Sequence, residues 1–536
     1  MKNKQYLAYI LADAHRWWKP GSKVFINAPT GAGKTTYQLT VLLKHALETG
    51  VEILYVSNRV TLHKQLLRSV CALFNLPYEY YEGENFAEFP GITLTTYQCL
   101  AEMLPNDEYH SNLPFYYFVV MDEAHFFEED AEFNAKIQRL LKWRTRIQCA
   151  VEIYISATIE DILVEFGYWN LEWQLVYEDD IVEVRERVAH DVVRRLKGEP
   201  ERCFYYHISG ETPECQVFVY DNISDIVEII NEDKTEDKWV LFQSNKDNAK
   251  CNVAKNIKVS KAIVTADDKE CNAMREIVDN QCFKEKVLIT TKVLDNGISL
   301  HDRKIKHILI ETTSKTEFLQ MFGRRRIEPD EEIALNLYIP KLSAGYFQSM
   351  ILCRILPMIK LTELSQEDLL RVMMNSDAEY KAVKSLYDAR GGRLVLNPIG
   401  KRRLEEKLKY FEKLSKTLEN DENYFIKEQL TWLGISDIKS IQYVSDIRYS
   451  KKLEELRKVL DGLKGIEMSK DQQESFRKVA KLSLLELLPD RFQQKKRLPG
   501  QLVINDCLNT LKLPYKVESK SGKKKGDTTT WTVIRI

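Results

Sequence analysis

The chain has 536 residues, of which 44% are apolar and 29% charged, so it is too long for one hydrophobic core and too apolar for a disordered protein. No stretch approaches the run of about 18 apolar residues that a membrane helix needs. The amino-terminal segment also lacks the apolar core and cleavage site of a secretory signal. The ten cysteines include no Cys-x-x-Cys pair, which argues against a structural zinc site or a disulfide framework. We therefore expect a cytoplasmic protein with no membrane contact.

The net charge of −1 conceals an asymmetry between the two parts of the chain. Residues 391–536 carry 31 Lys and Arg against 20 Asp and Glu, which leaves 47 against 59 for residues 1–390. A basic region of this kind is typical of a surface that binds a polyanion. A Lys-rich helical region also occurs merely as a solvated face, and charge alone does not decide between the two.

In chain order, residues 6–18 show helical spacing that ends at Pro20-Gly21. A short apolar run at 24–26, a Gly-rich loop and an apolar-periodic stretch at 37–47 then predict strand, loop and helix. Strand-like runs recur at 52–57, 92–96, 115–121 and 150–155, and a second series follows at 238–242, 261–265, 286–289 and 306–310. Strands that alternate with helical segments predict two α/β units, each with a parallel sheet covered on both faces.

The remaining stretches have a different character. Residues 165–238 mix aromatic and alternating patterns, for which we expect strands or an insertion between the two units. After about residue 345 strand signals almost vanish, and leucines at helical spacing in 404–414 and 453–463 predict helices. A helical stretch at 502–511, followed by two strand-like runs around a Gly/Lys-rich turn, predicts a winged-helix-like end.

The segment 28–36, APTGAGKTT, carries the first chemical signal. A phosphate chain needs close backbone approach and several N–H donors that point one way, which Gly31 and Gly33 permit at the start of a helix. Lys34 would reach the β- and γ-phosphates of ATP, and the Thr35 hydroxyl would ligate Mg²⁺. The predicted nucleotide cradle consists of Thr30, Gly31, Ala32, Gly33, Lys34, Thr35 and Thr36.

Two adjacent carboxylates follow an apolar strand at 119–121. Ligands of an open α/β sheet bind at this carboxyl end of the strands. Asp122 would hold Mg²⁺ through its water shell, and Glu123 would orient and polarise the attacking water. Neighbouring acidic residues are common on surfaces, but their place after a strand, in a chain with a phosphate loop, favours the catalytic interpretation.

With these segments in place, the first 345 residues resemble the superfamily 2 helicases. The matching segments, in order, are APTGAGKTT at 28–36, VSNRVTLHKQ at 56–65, TLTTYQCL at 93–100, DEAH at 122–125, SAT at 156–158, KWVLFQSN at 238–245, LITTKVLDNGISL at 288–300 and QMFGRRR at 320–326. The resemblance implies two tandem RecA-like motor domains at 1–200 and 201–345. We expect a helical accessory region at 346–490 and a basic, winged-helix-like end at 491–536.

The resemblance also implies roles for individual residues. ATP would lie between the two domains, with Gln320 and the arginine finger Arg324 reaching it from the second domain. Gly297 and Arg326 would add to the nucleotide site. His125, Ser156 and Thr158 would couple it to the domain interface. Contacts with the phosphates and sugars of a nucleic-acid strand are expected from Arg59, Thr95, Thr96, Ser244 and Thr291.

Several positions depart from the family pattern. Met321 and Ile327 stand where many relatives have Arg, and either Arg325 or Arg326 would substitute at the phosphates. Asn296 stands where many relatives have Arg, and no adenine-binding glutamine motif is identifiable before Ala28. The form QMFGRRR is more similar to the helicases of mobile-element, viral origin-binding or restriction-type groups than to the RNA DEAD-box group, which favours DNA over RNA.

Basic triplets occur at 401–403, 495–497 and 523–525. The last triplet, Lys523, Lys524 and Lys525, falls in the predicted hairpin turn and is the strongest candidate to lie on a phosphate backbone or to open a duplex at a fork. A turn that merely aids solubility is the alternative, and a solvated helix face suffices for the other two triplets.

Two functions from different classes fit these features. The leading hypothesis is an ATP-driven helicase or translocase on single-stranded or forked DNA, with ATP and Mg²⁺ as cofactors. Strand separation and movement alone both remain open. The alternative is a nucleotide-gated binding module, in a defence, restriction or mobile-element complex with protein partners. The complete set of Lys34, Glu123 and Arg324 argues against it, and a monomer would suffice because one chain supplies both sides of the site.

Overall fold

The computed structural model describes residues 7–29, 31–58, 60–104, 113–144, 147, 150–159, 162–163, 174–178, 182–193, 200–208, 215–244, 253–265, 271–294, 299–327, 331, 335–435, 441–489, 497–520 and 529–536. Contacts divide the chain into two units, one of residues 1–216 with 227–439 and one of residues 217–226 with 440–536. Among the described residues, no helix combines the length and the apolar character needed to cross a membrane.

The first α/β domain (residues 7–208) contains a nine-stranded sheet in the order β3-β4-β2-β5-β6-β1-β9-β8-β7. The strands are β1 Lys23–Asn27, β2 Ile53–Ser57, β3 Phe86–Phe89, β4 Ile92–Thr96, β5 Phe118–Asp122, β6 Val151–Ser156, β7 Gln174–Glu178, β8 Val182–Val193 and β9 Pro200–Ile208. The six central strands, β4, β2, β5, β6, β1 and β9 in sheet order, are parallel. Strand β3 at one edge and strands β8 and β7 at the other pair antiparallel. Strands β7 to β9 arise from the stretch 165–238, and β9 extends this sheet beyond the boundary predicted at residue 200.

The central strands are buried along their whole length, and their side chains divide between two cores. Every residue of β1, β2, β5 and β6 is buried. Val24 and Ile26 pack in the core on one face of the sheet, whereas Phe25 packs in the core on the other. Continuous apolar runs are what parallel strands covered on both faces require.

Helices cover both faces of this sheet. Their bounds are Leu7–Ile10, Lys34–Tyr37, Leu43–Thr49, Val60–Leu73, Tyr97–Met103, Phe126–Glu129 and Ile137–Arg144, with a π-helix at Gln38–Leu42 and 3-10 turns at Ala14–Trp17, Tyr78–Tyr80 and Asp130–Glu132. The segments from 34 to 49 form one continuous helix, which we call the phosphate-loop helix. It ends where Gly50 adopts a left-handed conformation (φ 70°), a common way to terminate a helix.

The second α/β domain (residues 227–340) repeats the parallel pattern. Its strands lie in the order β12-β13-β11-β14-β15 and pair in parallel. The bounds are β11 Lys238–Phe242, β12 Lys261–Val264, β13 Val287–Thr290, β14 Ile305–Ile310 and β15 Leu335–Pro340, with helices Ile223–Glu232, Asn272–Asn280 and Lys315–Phe322 and 3-10 turns Ala254–Asn256 and Lys292–Leu294. The predicted fold class, two RecA-like parallel-sheet domains in tandem, is confirmed.

The region that follows, residues 344–435, is mainly helical, as predicted. Its helices are Ala344–Met350, Leu356–Leu361, Gln366–Asn375, Asp377–Leu386, Pro398–Leu418 and Tyr424–Trp432, with a π-helix Ile351–Ile355 and the hairpin β16 Tyr387–Arg390 and β17 Arg393–Leu396. The region packs back on the first domain, where Arg139 Nε and Nη2 donate to Asp388 at 2.8 and 2.7 Å. This ion pair is almost fully buried, so the helical region packs directly on the first domain.

The second unit contains its own helices and hairpin. In it, β10 (Cys215–Tyr220) pairs in parallel with β18 (Ile441–Tyr443). The helices are Val444–Gly462, Lys470–Leu487 and Gln501–Thr510, and the antiparallel hairpin is β19 Tyr515–Lys520 with β20 Thr530–Arg535. Leu460, Leu484, Leu508 and Val533 are among the residues of its apolar core. The helix and hairpin predicted for the end of the chain are present.

A half-buried histidine makes the stability of the second α/β domain depend on pH. His307 stacks on Trp239 with a ring separation of 3.9 Å, and its Nδ1 lies 3.2 Å from the Tyr338 hydroxyl. Burial, which outweighs the attraction of Asp233, lowers the pKa of His307 from 6.5 to about 4. As the pH falls from neutral, the unfolded chain therefore takes up this proton before the folded domain does.

We expect the free energy of opening β11 and β14 to fall by about 2 kcal/mol between pH 7 and pH 5, with no further loss from this residue below about pH 4. Hydrogen exchange of these two strands, corrected for intrinsic rates, measures it. The variant His307→Gln should flatten the dependence, whereas His301→Gln, at an exposed position, should leave it unchanged. Equal slopes in wild type and His307→Gln would contradict this assignment.

Candidate nucleotide-binding site

The loop between β1 and the phosphate-loop helix is shaped to receive phosphates. Gly31 (φ 88°) and Gly33 (φ 78°) both adopt left-handed conformations that side chains disfavour. Gly33 is the N-cap of the helix that begins at Lys34, and the Leu7 N–H donates to the Ala32 carbonyl at 2.8 Å, which fixes the turn. Thr35 is half-buried and Thr36 exposed at the helix start. Thr30 lies outside the described residues.

The two predicted carboxylates lie beside this loop. Asp122 ends β5, next to the ends of β2 and β6, and Glu123 follows with a positive φ of 50°. The Lys34 ammonium donates to Glu123 Oε1 at 2.9 Å. Asp122 Oδ2 accepts from the Tyr55 hydroxyl at 2.6 Å, and Oδ1 accepts from the Glu123 N–H at 3.0 Å. The sheet edge therefore brings together the residues that the sequence assigns to phosphate, metal and water.

The electrostatics of this pair fit a divalent cation. Burial, together with the charge of Glu123, raises the pKa of Asp122 to about 6. Burial also opposes the charge of Glu123, but Lys34 and His125 outweigh it and hold the pKa of Glu123 below its usual range. Glu123 Oε2 is buried and has no hydrogen-bond partner among the described residues.

Two buried carboxylates beside one lysine leave negative charge that suits a divalent cation, for which the sequence predicts Asp122 and Thr35 as ligands. No cluster of three or more metal-ligating side chains occurs in the part of the chain that the structure describes. Such a Mg²⁺ would rely on phosphate oxygens and water for its other ligands, as this ion commonly does.

The second α/β domain supplies the opposite wall of the site. The helix Lys315–Phe322 carries Gln320, and the chain then passes through three arginines. Arg324 is 3% exposed, and its Nε donates to the Gln320 carbonyl at 3.1 Å. Arg325 instead bonds within its own domain, to Glu331 and to the Ile305 carbonyl. This arginine is therefore committed to structure.

Arg326 is the arginine that reaches the phosphate loop. A Cβ atom on Gly31 would lie 2.9 Å from Arg326 Nη1, so a side chain at this position would displace the guanidinium, and the φ of 88° disfavours one as well. The Ser299 hydroxyl accepts from Arg326 Nε at 2.9 Å. Burial and the neighbouring Arg324 lower the pKa of Arg326 to about 10. Cations crowded in this way favour a polyanion between them, and a triphosphate fits that requirement.

The predicted coupling residues form a buried chain of hydrogen bonds across the domain interface. Gln320 Nε2 lies 2.9 Å from His125 Nε2, and His125 Nδ1 lies 3.0 Å from Ser156 Oγ. Ser156 Oγ accepts from the Thr158 N–H at 3.1 Å, and the Thr316 hydroxyl donates to the Thr158 hydroxyl at 3.3 Å. His125, Ser156 and Thr158 thus connect the carboxylates to the helix that carries Gln320.

The predicted nucleic-acid contacts differ in their exposure. Thr95 and Thr96 are both buried, and the Thr96 hydroxyl caps the helix Tyr97–Met103 by accepting from the Cys99 N–H, so neither side chain presents its hydroxyl at the surface. Ser244 is exposed and Thr291 half-buried, after the adjacent strands β11 and β13. The other candidates, Arg59, Lys523, Lys524 and Lys525, lie outside the described residues, as does Gly297, which was predicted for the nucleotide site.

Some residues of the site are not evident from the sequence. Tyr55 binds Asp122 from the neighbouring strand, and Ser314 Oγ donates to Glu129 Oε1 at 3.2 Å across the domain interface. Thr316 reaches Thr158 in the same way. Tyr55 directly precedes the segment 56–65, and Ser314 is an N-cap residue, but neither signal indicates the distant partner.

Comparison with known proteins finds a family model that is similar to part of the first domain. Residues 10–166 match the model described as DEAD/DEAH box helicase. No curated protein sequence matches the chain.

Three solved structures are similar at low identity. The DEAD-box helicase Mss116 bound to ssRNA and UDP-BeF is 14% identical over 81% of this chain and 90% of its own, with a TM-score of 0.45. The DEAH/RHA helicase HrpB from Escherichia coli is 13% identical over 92% and 58%, with a TM-score of 0.39. The helicase Lhr from Mycobacterium smegmatis, bound to ssDNA and AMP-PNP, is 16% identical over 72% and 58%, with a TM-score of 0.38. These likenesses are too distant to carry a functional argument.

The family match covers both the phosphate loop at 28–36 and the DEAH segment at 122–125. Residues 10–166 are thus similar to the DEAD/DEAH box helicase family, which agrees with the superfamily 2 resemblance that the motifs predict.

Proposed function

We propose that this chain is an ATP-driven motor on nucleic acid, which hydrolyses Mg-ATP between its two α/β domains and prefers DNA to RNA. The observation that carries the proposal is the approach of Arg326, from the second domain, to Gly31 in the phosphate loop of the first. A site completed by two domains makes hydrolysis depend on their closure, and nucleotide state then becomes motion.

The chemistry follows from groups already in place. Lys34, now paired with Glu123, would turn to the β- and γ-phosphates and release that carboxylate to orient the attacking water. Arg324 and Arg326 would stabilise the charge that spreads over the γ-phosphoryl oxygens in the transition state. Mg²⁺, held by Thr35 and Asp122, would neutralise the phosphate chain.

The hydrogen-bond chain through Gln320, His125 and Ser156 supports coupling between hydrolysis and domain position. His125 follows the water-orienting Glu123 by two residues and meets Gln320 of the opposite domain. A change in the separation of the domains would therefore shift the catalytic carboxylate directly.

The nucleic-acid part of the proposal rests on three features. The rear of the chain has a marked excess of basic residues, Ser244 and Thr291 follow adjacent strands of the second domain, and the segment QMFGRRR favours DNA. Arg59 and the triplet Lys523, Lys524 and Lys525 would add phosphate contacts, each of which makes binding more sensitive to salt.

ATP turnover measured without polymer, with single-stranded DNA, with duplex DNA and with RNA tests the proposal as a whole. We expect single-stranded DNA to stimulate turnover most and RNA less. Equal turnover in all four conditions would refute the motor. ATP-dependent binding with negligible turnover throughout would instead indicate the nucleotide-gated binding module. A fork with one labelled strand then separates unwinding from translocation alone.

The variants Lys34→Ala and Glu123→Gln should both abolish stimulated turnover, each by roughly 100-fold or more, because one removes the phosphate cation and the other the water-orienting base. Glu123→Gln should still bind ATP, since Lys34 remains. Lys44→Ala, on the same phosphate-loop helix but with its side chain 73% exposed, is the matched control and should turn over like wild type. A full rate for Glu123→Gln would exclude its proposed role.

The three consecutive arginines should behave differently when each is replaced. Arg326→Ala and Arg324→Ala should each lower kcat by roughly 1,000-fold, as the loss of an arginine finger does, with little change in thermal stability. Arg325→Gln should instead lower the unfolding temperature, because it removes the charge that faces the Glu331 carboxylate in a buried ion pair, and the folded fraction should keep its kcat. Steady-state kinetics and thermal melts on the same preparations distinguish these outcomes.

A further inference from the structure

The helical pair at residues 397–432, which we call the brace, contacts the segment directly after the DEAH residues. The brace comprises the helices Pro398–Leu418 and Tyr424–Trp432. Arg403 Nε lies 2.9 Å from Glu128 Oε2, and Arg402 Nη2 lies 3.6 Å from Glu128 Oε1. The Glu128 side chain is only 4% exposed, so the two arginines hold a nearly buried carboxylate.

The same end of the brace also contacts the backbone beyond Glu128. Asn397, fully buried, donates from Nδ2 to the Ala131 carbonyl at 2.9 Å. A Cβ atom on Gly400 would lie 2.5 Å from that carbonyl, so the helix can approach this closely only because the residue is glycine. Lys407 Nζ binds Glu132 Oε2 at 2.8 Å. The contact is therefore close and polar over nearly three helical turns, from Asn397 to Lys407.

This segment connects directly to the catalytic residues. The N–H groups of Glu128 and Glu129 both donate to the His125 carbonyl at 2.9 Å. A displacement of Glu128 therefore moves His125, and with it the hydrogen bond to Gln320.

The other end of the brace contacts the helix that carries Gln320. Trp432 meets Phe318 edge to face, with ring centroids 5.5 Å apart, and Phe318 is fully buried in that helix. Gln429, also fully buried, has its Nε2 3.5 Å from the Thr312 carbonyl, just before the helix begins. The brace therefore reaches both α/β domains next to the site.

The two helices of the brace are joined to each other. The Tyr410 hydroxyl donates to Glu428 Oε1 at 2.9 Å. Phe347, from the preceding helix, packs edge to face on both Phe411 and Phe425. Such packed aromatic contacts resist shear between the helices, so the pair can transmit a displacement from one end to the other.

We propose that the brace is a positioning element for ATP hydrolysis. It completes a closed ring that runs from Arg403 through Glu128, His125, Gln320 and Phe318 to Trp432. The ring holds the second domain where Arg324 and Arg326 reach the phosphate loop. Arg403 and Trp432 are positioning residues, since they act through Glu128 and Phe318 rather than on the nucleotide. This inference rests on the proposed ATPase function.

The test is steady-state ATP turnover of the full chain, with and without oligo-dT. Arg403→Gln should lower kcat roughly tenfold in both conditions, as expected for the loss of a charged hydrogen bond, and leave KM for ATP nearly unchanged, because the first domain binds the nucleotide. Arg403→Lys should recover most of the rate. Arg371→Gln is the control: among the described residues this arginine pairs with Glu367 and Asp368 of its own helix, and its side chain is 70% exposed, so the variant should match wild type.

The double variant Arg403→Gln with Trp432→Leu separates positioning from general destabilisation. If the two ends of the brace act through one ring, the loss of either contact removes the restraint on the second domain. The double variant should then be no slower than the slower single variant. Multiplied losses, or a normal kcat in Trp432→Leu, would overturn the proposal. Trp432→Leu alone also serves if Arg403→Gln does not fold, which thermal melts will show. Absent wild-type turnover refutes the proposed function, whereas normal wild-type turnover with unaffected variants refutes the brace alone.

Discussion

The arrangement of this chain depends on one electrostatic constraint, which is the crowding of cationic side chains around the phosphate loop. Lys34 from the first domain and Arg324 and Arg326 from the second converge on a loop whose glycines leave no side chain in the way. Repulsion between the two arginines and their removal from water both make this cluster of cations less favourable. The same two effects lower the pKa of Arg326. Glu123 offsets part of it, and a triphosphate would offset the rest. In the proposed function, the nucleotide would thus be an electrostatic component of the interface as well as the substrate.

The rest of the fold positions this cluster with little freedom. Parallel strands bring Asp122 and Ser156 to one sheet edge, since Asp122 ends β5 and Ser156 ends the adjacent β6. The DEAH segment is then held from two sides, by the second domain through Gln320 and by the brace through Arg403. If Glu123 has its proposed role, a carboxylate fixed at both flanks would lose little entropy when the site closes, which is what preorganisation requires.

The sequence predicts those parts of the molecule that local patterns encode. The phosphate loop, the DEAH segment and the order of strands follow from short-range spacing, and the structure bears out the fold. The sequence does not reveal the pairings between distant segments, such as Tyr55 with Asp122, Arg403 with Glu128, or β9 with β1. The choice between Arg325 and Arg326 also depends on how the chain turns after its helix. Thr95 and Thr96 lie in a segment that resembles a nucleic-acid-contacting motif, but packing around their strand buries both side chains.

The ion pair between Arg403 and Glu128 affects how the molecule responds to ionic strength. Glu128 is shielded, yet the arginine side chains facing it remain 28% and 44% exposed, so mobile ions have access to one partner of the pair. Counterions would then weaken this internal contact, and under the proposed function they would also weaken binding to a polyanion. A salt titration of the proposed activity would contain two superimposed responses, and only the internal one would persist when no strand is bound.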